Sequence, residues 1–336
     1  MQNKPQRIDL HNFIEEISKG NSSFLSRAIT LGESTLALHR NQFQDLLTEL
    51  IPNSGSSIRI GVTGTPGAGK STLIESLGTY LIDKHQKKVA VLAVDPSSEL
   101  NHGSILGDKT RMELLSRSKH AFIRPSPSKS NLGGVTQNTR EAVYLCEAAG
   151  YDIILIETVG VGQSETAVNS MVDFFMMLQI VGGGDDLQAI KRGIYEHIDL
   201  LVVHKADQDK INQASREATN FKKMFALFPP KESQWNPVAM TCSSKGNIGI
   251  SELWKTIVNY VEKTQNSGYF KKKRAAQNIK WHLELQQYQL KRFMEENSKL
   301  NQGMSFINHE VEQEKLTPLE AIKRLEKLLL KLFPKT

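Results

Sequence analysis

The chain has 336 residues, 39% apolar and 23% charged, with a formal net charge of +6. That length supports a large core and roughly two domains, the composition is that of an ordinary globular protein, and the modest positive charge admits an anionic ligand without indicating nucleic acid. Cys146 and Cys242 are the only cysteines; so far apart, they exclude a disulfide framework and a C-x-x-C metal site, and a cytoplasmic protein is the expectation. The opening residues Met1-Gln2-Asn3-Lys4-Pro5 are polar, unlike a signal peptide. No apolar run is long enough to span a bilayer, so no membrane partner is expected.

Residues 1–52 read as a helical extension. Phe13, Ile14 and Ile17 form one amphipathic stretch; Ser22 or Ser23 is placed to cap a second, with Leu25, Ala28 and Ile29 at helical spacing. The turn-rich Ile51-Pro52-Asn53-Ser54-Gly55-Ser56 marks the boundary. From 53 to 265, apolar runs alternate with helical patterns: Ile58–Val62, Val89–Val94, Ile153–Ile156, Met171–Val181, Ile198–Val203 and Val238–Thr241. Runs apolar on both faces suit a parallel sheet covered by helices, which predicts a doubly wound, mostly parallel α/β fold. In such folds ligands gather beyond the carboxyl ends of the strands.

After the first strand comes Gly64-Thr65-Pro66-Gly67-Ala68-Gly69-Lys70-Ser71-Thr72, a full match to the phosphate-binding pattern G-x-x-x-x-G-K-[ST]. Glycines let successive N–H groups close on phosphate oxygens. Lys70 can reach the β- and γ-phosphates, and the Ser71 hydroxyl is placed for Mg²⁺. Asp95 and Glu157 end apolar runs and Asp108 sits in a long loop, so all three are candidates for the metal and its waters. A carboxylate at a strand end can instead cap the following helix. For Glu157, the adjoining Gly160 and Gly162 favour a backbone that approaches phosphate and switches.

His204-Lys205-Ala206-Asp207 is similar to the guanine-reading [NT]-K-x-D pattern, with His204 at the first position. A carboxylate accepts from guanine N1–H and the exocyclic amine, and adenine offers an acceptor at one of those places; the lysine stem packs on the base. Ser243-Ser244-Lys245 is similar to an S-A-K base loop with Ser244 in place of alanine.

Residues 266–336 change character. Lys271-Lys272-Lys273-Arg274 reads as a solvated helix face, since no interleaved aromatics or nucleic-acid module accompany it. Thr317-Pro318-Leu319-Glu320 is a capping box, and Leu319, Ile322, Leu325, Leu329 and Leu332 form an apolar stripe. The stripe needs a partner surface, either a second subunit or the chain's own domain.

Together these motifs resemble the MeaB, ArgK and MMAA family of P-loop GTPases, over nearly the whole chain. The resemblance also rests on Asp95-Pro96-Ser97-Ser98, on Gly103 to Met112, and on Ile123-Arg124-Pro125-Ser126-Pro127-Ser128. Glu157-Thr158-Val159-Gly160-Val161-Gly162-Gln163-Ser164-Glu165 and Gly184-Asp185-Asp186-Leu187-Gln188-Ala189-Ile190-Lys191-Arg192-Gly193-Ile194 complete it. It implies a GTP-hydrolysing chaperone that gates adenosylcobalamin loading into methylmalonyl-CoA mutase or a close relative. Gly64, Pro66, Gly67, Ala68, Gly69, Lys70, Ser71 and Thr72 would hold phosphate. Ser71, Asp95, Asp108 and Glu157 would organise Mg²⁺ and the attacking water. Asp185, Gln188 and Lys191 would form the partner-responsive switch, with Lys191 approaching the phosphates. Lys205, Asp207, Ser243, Ser244 and Lys245 would hold the base. The C-terminal helices imply a homodimer. A nickel-insertion GTPase would need Cys/His clusters, and a transport-associated ATPase or kinase would prefer adenine, which Asp207 opposes.

Overall fold

The computed structural model describes residues 8–34, 36–95, 112–127, 132–158, 163–182 and 192–332. They divide into two compact units, Met1–Arg274 and Ala275–Thr336. Within the first, among the described residues, seven strands form one parallel sheet: β1 (Ile58–Gly64), β2 (Val89–Asp95), β3 (Ala121–Pro127), β4 (Ile153–Thr158), β5 (Phe174–Ile180), β6 (Leu200–His204) and β7 (Val238–Cys242), in the order β3-β2-β4-β1-β5-β6-β7. The doubly wound α/β fold is as expected. The chain leaves β1 towards one edge of the sheet and β4 towards the other, so the strand order reverses between these neighbours, and it is beyond the carboxyl ends at such a reversal that doubly wound folds bind ligands.

The chain's apolar runs explain the core. Ile60, Val62, Leu155, Phe174, Met176 and Val202 are buried on one face of the sheet under Leu73, Ile74 and Leu77 of one helix and Leu253 and Ile257 of another. These helices are Lys70–His85 and Ile250–Asn266. On the opposite face Gly61 packs so tightly that a Cβ there would lie 2.6 Å from the Phe175 ring.

β3 is the strand that the apolar pattern missed. It holds Pro125 and Pro127 and pairs only with β2, at the sheet's edge. Proline lacks an N–H for the ladder, so an edge is where such a sequence can be a strand. A second device was also unread. Asp152, Asp173 and Asp199 each stand just before a strand. Their carboxylates accept from the backbone N–H of Lys88 (2.8 Å), Arg59 (2.9 Å) and Phe175 (3.0 Å) at the start of a neighbouring strand. Each satisfies a donor that the ladder leaves over.

The N-terminal helices are Leu10–Ser18, Ser22–Gly32 and Ala37–Leu50. The second is capped by Asn21 rather than by Ser22 or Ser23: its side chain accepts from Ser23 N at 3.0 Å and Phe24 N at 3.5 Å. Arg40 fastens this layer, donating to Glu141 at 2.7 and 3.0 Å and to Gly32 O at 2.7 Å.

The reading of Lys271–Arg274 as a solvated face is corrected. Lys272 is exposed and pairs with Glu232, but Lys273 donates to Asp173 O at 2.7 Å. Arg274 is largely buried, and its Nη2 and Nε reach the two carboxylate oxygens of Asp173 at 2.7 and 2.8 Å. Its other bonds run to the carbonyls of Gly55 (2.5 Å) and Ser57 (2.6 Å). The same edge holds Arg59, which donates to both Glu147 oxygens at 2.9 and 2.8 Å.

In the second unit, the helix Ser298–Glu312 is capped by Asn297, which accepts from Leu300 N at 3.0 Å. The helix Pro318–Leu332 begins with the capping box read from the sequence: Glu320 accepts from Thr317 N at 3.0 Å, and Thr317 Oγ1 accepts from Glu320 N at 3.3 Å. Its inner face holds Ala321 and Leu328, with Leu328 against Gly303. Leu319 and Ile322, from the predicted stripe, are 79% and 64% exposed in this single chain.

Candidate functional site

The site lies at the carboxyl ends of β1, β4 and β6. β1 runs straight into the phosphate-type loop, which the helix Lys70–His85 closes. Gly64, Gly67 and Gly69 all take positive φ (145°, 78° and 88°), a region open chiefly to glycine. At Gly64 a Cβ would lie 2.3 Å from Leu178 O of the neighbouring strand; at Gly67 it would meet nothing within 4 Å. The loop is therefore held against the sheet at its start and faces open space at its crest. Ala68 N donates to Thr65 O at 3.1 Å, and Leu73 N donates to Gly69 O at 2.9 Å. Pro66, Gly67 and Thr72 are exposed, while Ala68 and Lys70 are buried.

Lys70 Nζ curls over the loop, donating to Gly64 O at 2.9 Å and Thr65 O at 3.3 Å. Ser71 Oγ donates to Glu157 Oε1 at 2.9 Å. A lysine at a helix N-terminus among glycine N–H groups is a fitting cradle for phosphate. A hydroxyl held on a strand-end carboxylate is a fitting pair of oxygen donors for a hard divalent cation such as Mg²⁺.

Behind them is a buried hydroxyl relay that sequence reading missed. Thr158 Oγ1 donates to Thr63 Oγ1 at 3.0 Å, and Thr63 Oγ1 donates to Glu165 Oε1 at 2.9 Å. It ties the end of β1 to the end of β4 and to the helix Gln163–Asn169. Glu165 stands in the same motif as Glu157, and Thr63 and Thr158 follow two apolar runs by one and two residues; that position was the available signal.

β6 delivers the second half. His204 is buried, with Nδ1 2.8 Å from Ala68 O and Nε2 2.9 Å from Ser244 Oγ. Burial holds its pKa below the ordinary histidine value, so the ring is neutral near pH 7. A carbonyl only accepts, so Nδ1 carries the proton and Nε2 accepts from Ser244. Lys205, at φ 59°, donates to Gly67 O at 2.9 Å. Ser243 Oγ donates to the Asp207 carboxylate in a short contact and accepts from Lys245 N at 3.2 Å.

The structure thus brings together Gly64, Pro66, Gly67, Ala68, Gly69, Lys70, Ser71, Thr72, Glu157, Lys205, Asp207, Ser243, Ser244 and Lys245. Asp95 ends β2, paired with Pro127; its side chain lies outside the described residues, as do Asp108, Asp185, Gln188 and Lys191. Both cysteines are buried, and burial pushes the Cys242 thiol up to about 12 and Cys146 further still. Neither is poised as a thiolate ligand. Among the described residues no helix is long and apolar enough to cross a membrane.

Residues 25–299 match the family model described as methylmalonyl-CoA mutase-associated GTPase MeaB. A probable GTPase of Mycobacterium tuberculosis is 45% identical over 306 residues, covering 91% of each chain. A mitochondrial methylmalonic aciduria type A homolog of Mus musculus is 42% identical over 325 residues, 94% of this chain and 77% of the relative. The crystal structure of a LAO/AO transport system kinase superposes with a TM-score of 0.74 at 34% identity, covering 96% of this chain and 99% of that one. The sheet order, the phosphate loop and these likenesses agree: the chain belongs to the MeaB family of methylmalonyl-CoA mutase-associated GTPases.

Proposed function

We propose that this protein is a Mg²⁺-dependent GTPase that acts as a chaperone, gating adenosylcobalamin loading into methylmalonyl-CoA mutase or a close relative and protecting that enzyme. The observation that carries the reading is the bond from Ser71 to Glu157. It makes the phosphate loop and the strand-end switch one mechanical unit, so a change of nucleotide is felt where a partner can sense it. The family's name supplies the partner class.

The residues divide the work. Lys70 exchanges its carbonyl partners for β- and γ-phosphate oxygens and meets the charge that grows during transfer. Ser71 and Glu157, with Asp95 and Asp108, would hold Mg²⁺, which when bound neutralises phosphate charge. Asp207 accepts from guanine N1–H and the exocyclic amine, and Lys205 covers the base. Asp185, Gln188 and Lys191 form the switch that answers the partner. Positioning dominates phosphoryl transfer, so turnover is low until the partner completes the site. Leu319 and Ile322, exposed on the C-terminal helix, support a homodimer, in the cytoplasm.

The test is the steady-state GTP hydrolysis rate of the purified protein with and without an adenosylcobalamin-dependent methylmalonyl-CoA mutase. A rise of about tenfold or more on adding the mutase is expected. An unchanged rate in a stable complex would overturn the gating role.

A further inference from the structure

Two departures from the common guanine-binding patterns, His204 and Ser244, meet each other across the site. His204 lies on β6 and Ser244 in the loop after β7, yet Nε2 and Oγ are 2.9 Å apart. The other ring nitrogen is 2.8 Å from Ala68 O in the phosphate loop. The ring rests on that loop: a Cβ at Gly69 would lie 2.7 Å from Nδ1. The residue next to Ser244, Ser243, donates to the carboxylate of Asp207. One line of bonds therefore runs from the phosphate loop through His204 to the base loop, and from there to the base-reading acid.

The atoms explain the pairing. An asparagine at 204 would place one amide atom near Nδ1, within reach of Ala68 O, but has no atom as far out as Nε2. The imidazole reaches further, and its Nε2 has no use for an alanine at 244. A serine there supplies the O–H that a neutral ring needs. A buried histidine satisfied within its own strand would do none of this; both partners here belong to ligand-facing loops.

We infer that His204 and Ser244 form a matched brace that holds the base-reading carboxylate of Asp207 in register with the phosphate loop. His204 is a positioning residue for guanine affinity, acting through Ser244 and Ala68. The inference rests on the guanine-nucleotide reading.

The brace separates from a merely structural role by which part of the nucleotide it affects. Binding of GDP and of pyrophosphate, each with Mg²⁺, is measured for the wild type, Ser244→Ala, His204→Asn and the double variant. Ser244→Ala weakens GDP binding about fivefold to tenfold and speeds release, while pyrophosphate binding stays within about twofold, since only the base half loses its register. His204→Asn gives a loss of about the same size, and adding Ser244→Ala to it costs nothing further, because the shared bond is already gone. Ser244 is half-buried in a loop, so its variant keeps the test open if His204→Asn folds poorly. GDP affinity within about twofold of wild type in Ser244→Ala, additive losses, or an equal loss of pyrophosphate would overturn the brace while leaving guanine binding intact. A wild type that binds ADP as tightly as GDP overturns the guanine reading, and the brace with it.

Discussion

At the amino end of the sheet, charge meets charge. Arg59 forks onto Glu147, Arg274 forks onto Asp173, and backbone groups of Gly55 and Ser57 fill the remaining valences. At the carboxyl end the bonds nearest the open face run from single lysines to loop backbone: Lys70 to Gly64 O and Lys205 to Gly67 O. The first arrangement is a finished clamp, with bidentate geometry that anchors the start of the helix Tyr269–Glu296 to the domain. The second is made of bonds that a phosphate or a base can replace one for one. A buried polar network is structural when its members satisfy each other, and a site when its partners can be exchanged at little cost.

Substitutions at the two ends should therefore fail in different ways. The largest effect is expected for Lys70→Ala: GTP hydrolysis falls about a thousandfold or more while thermal unfolding barely moves, read by phosphate release and calorimetry. Glu147→Gln should do the reverse. It leaves the buried Arg59 without a full counter-charge and costs about 3–5 kcal/mol in urea unfolding, with GDP affinity of the folded fraction unchanged. Thr63→Val lies between the two. It removes the donor to Glu165 and the acceptor for Thr158, costs about 1–2 kcal/mol in the same measurement, and slows hydrolysis by loosening the strand ends. The smallest effect is with pH. Burial lowers the folded-state pKa of His204 below the usual 6.5, so the unfolded chain takes up the proton first. Stability should be flat above that value and fall as pH drops below it; His204→Asn should remove that slope.

The sheet was legible because its inner strands are apolar on both faces, a pattern that only a covered parallel sheet explains. β3 was not, because Pro125 and Pro127 read as breakers until an edge position makes them harmless. The phosphate loop was legible because its chemistry demands consecutive residues. The Thr63, Thr158 and Glu165 relay was not, because it joins three elements that only the sheet order brings together. His204 and Ser244 were each seen as a departure; that they answer one another depends on β6 and β7 being neighbours. Arg274 looked like part of a solvated basic run, since nothing local announces that Asp173 waits for it.

Guanine recognition at the carboxyl end is tested most directly by calorimetric titration of the wild-type protein with GDP and with ADP, both with Mg²⁺. GDP is expected to bind more than about a hundredfold tighter, because a carboxylate that accepts two hydrogen bonds from guanine is left facing an acceptor on adenine. Equal affinities would contradict the assignment of Asp207 and the guanine-nucleotide site built around it.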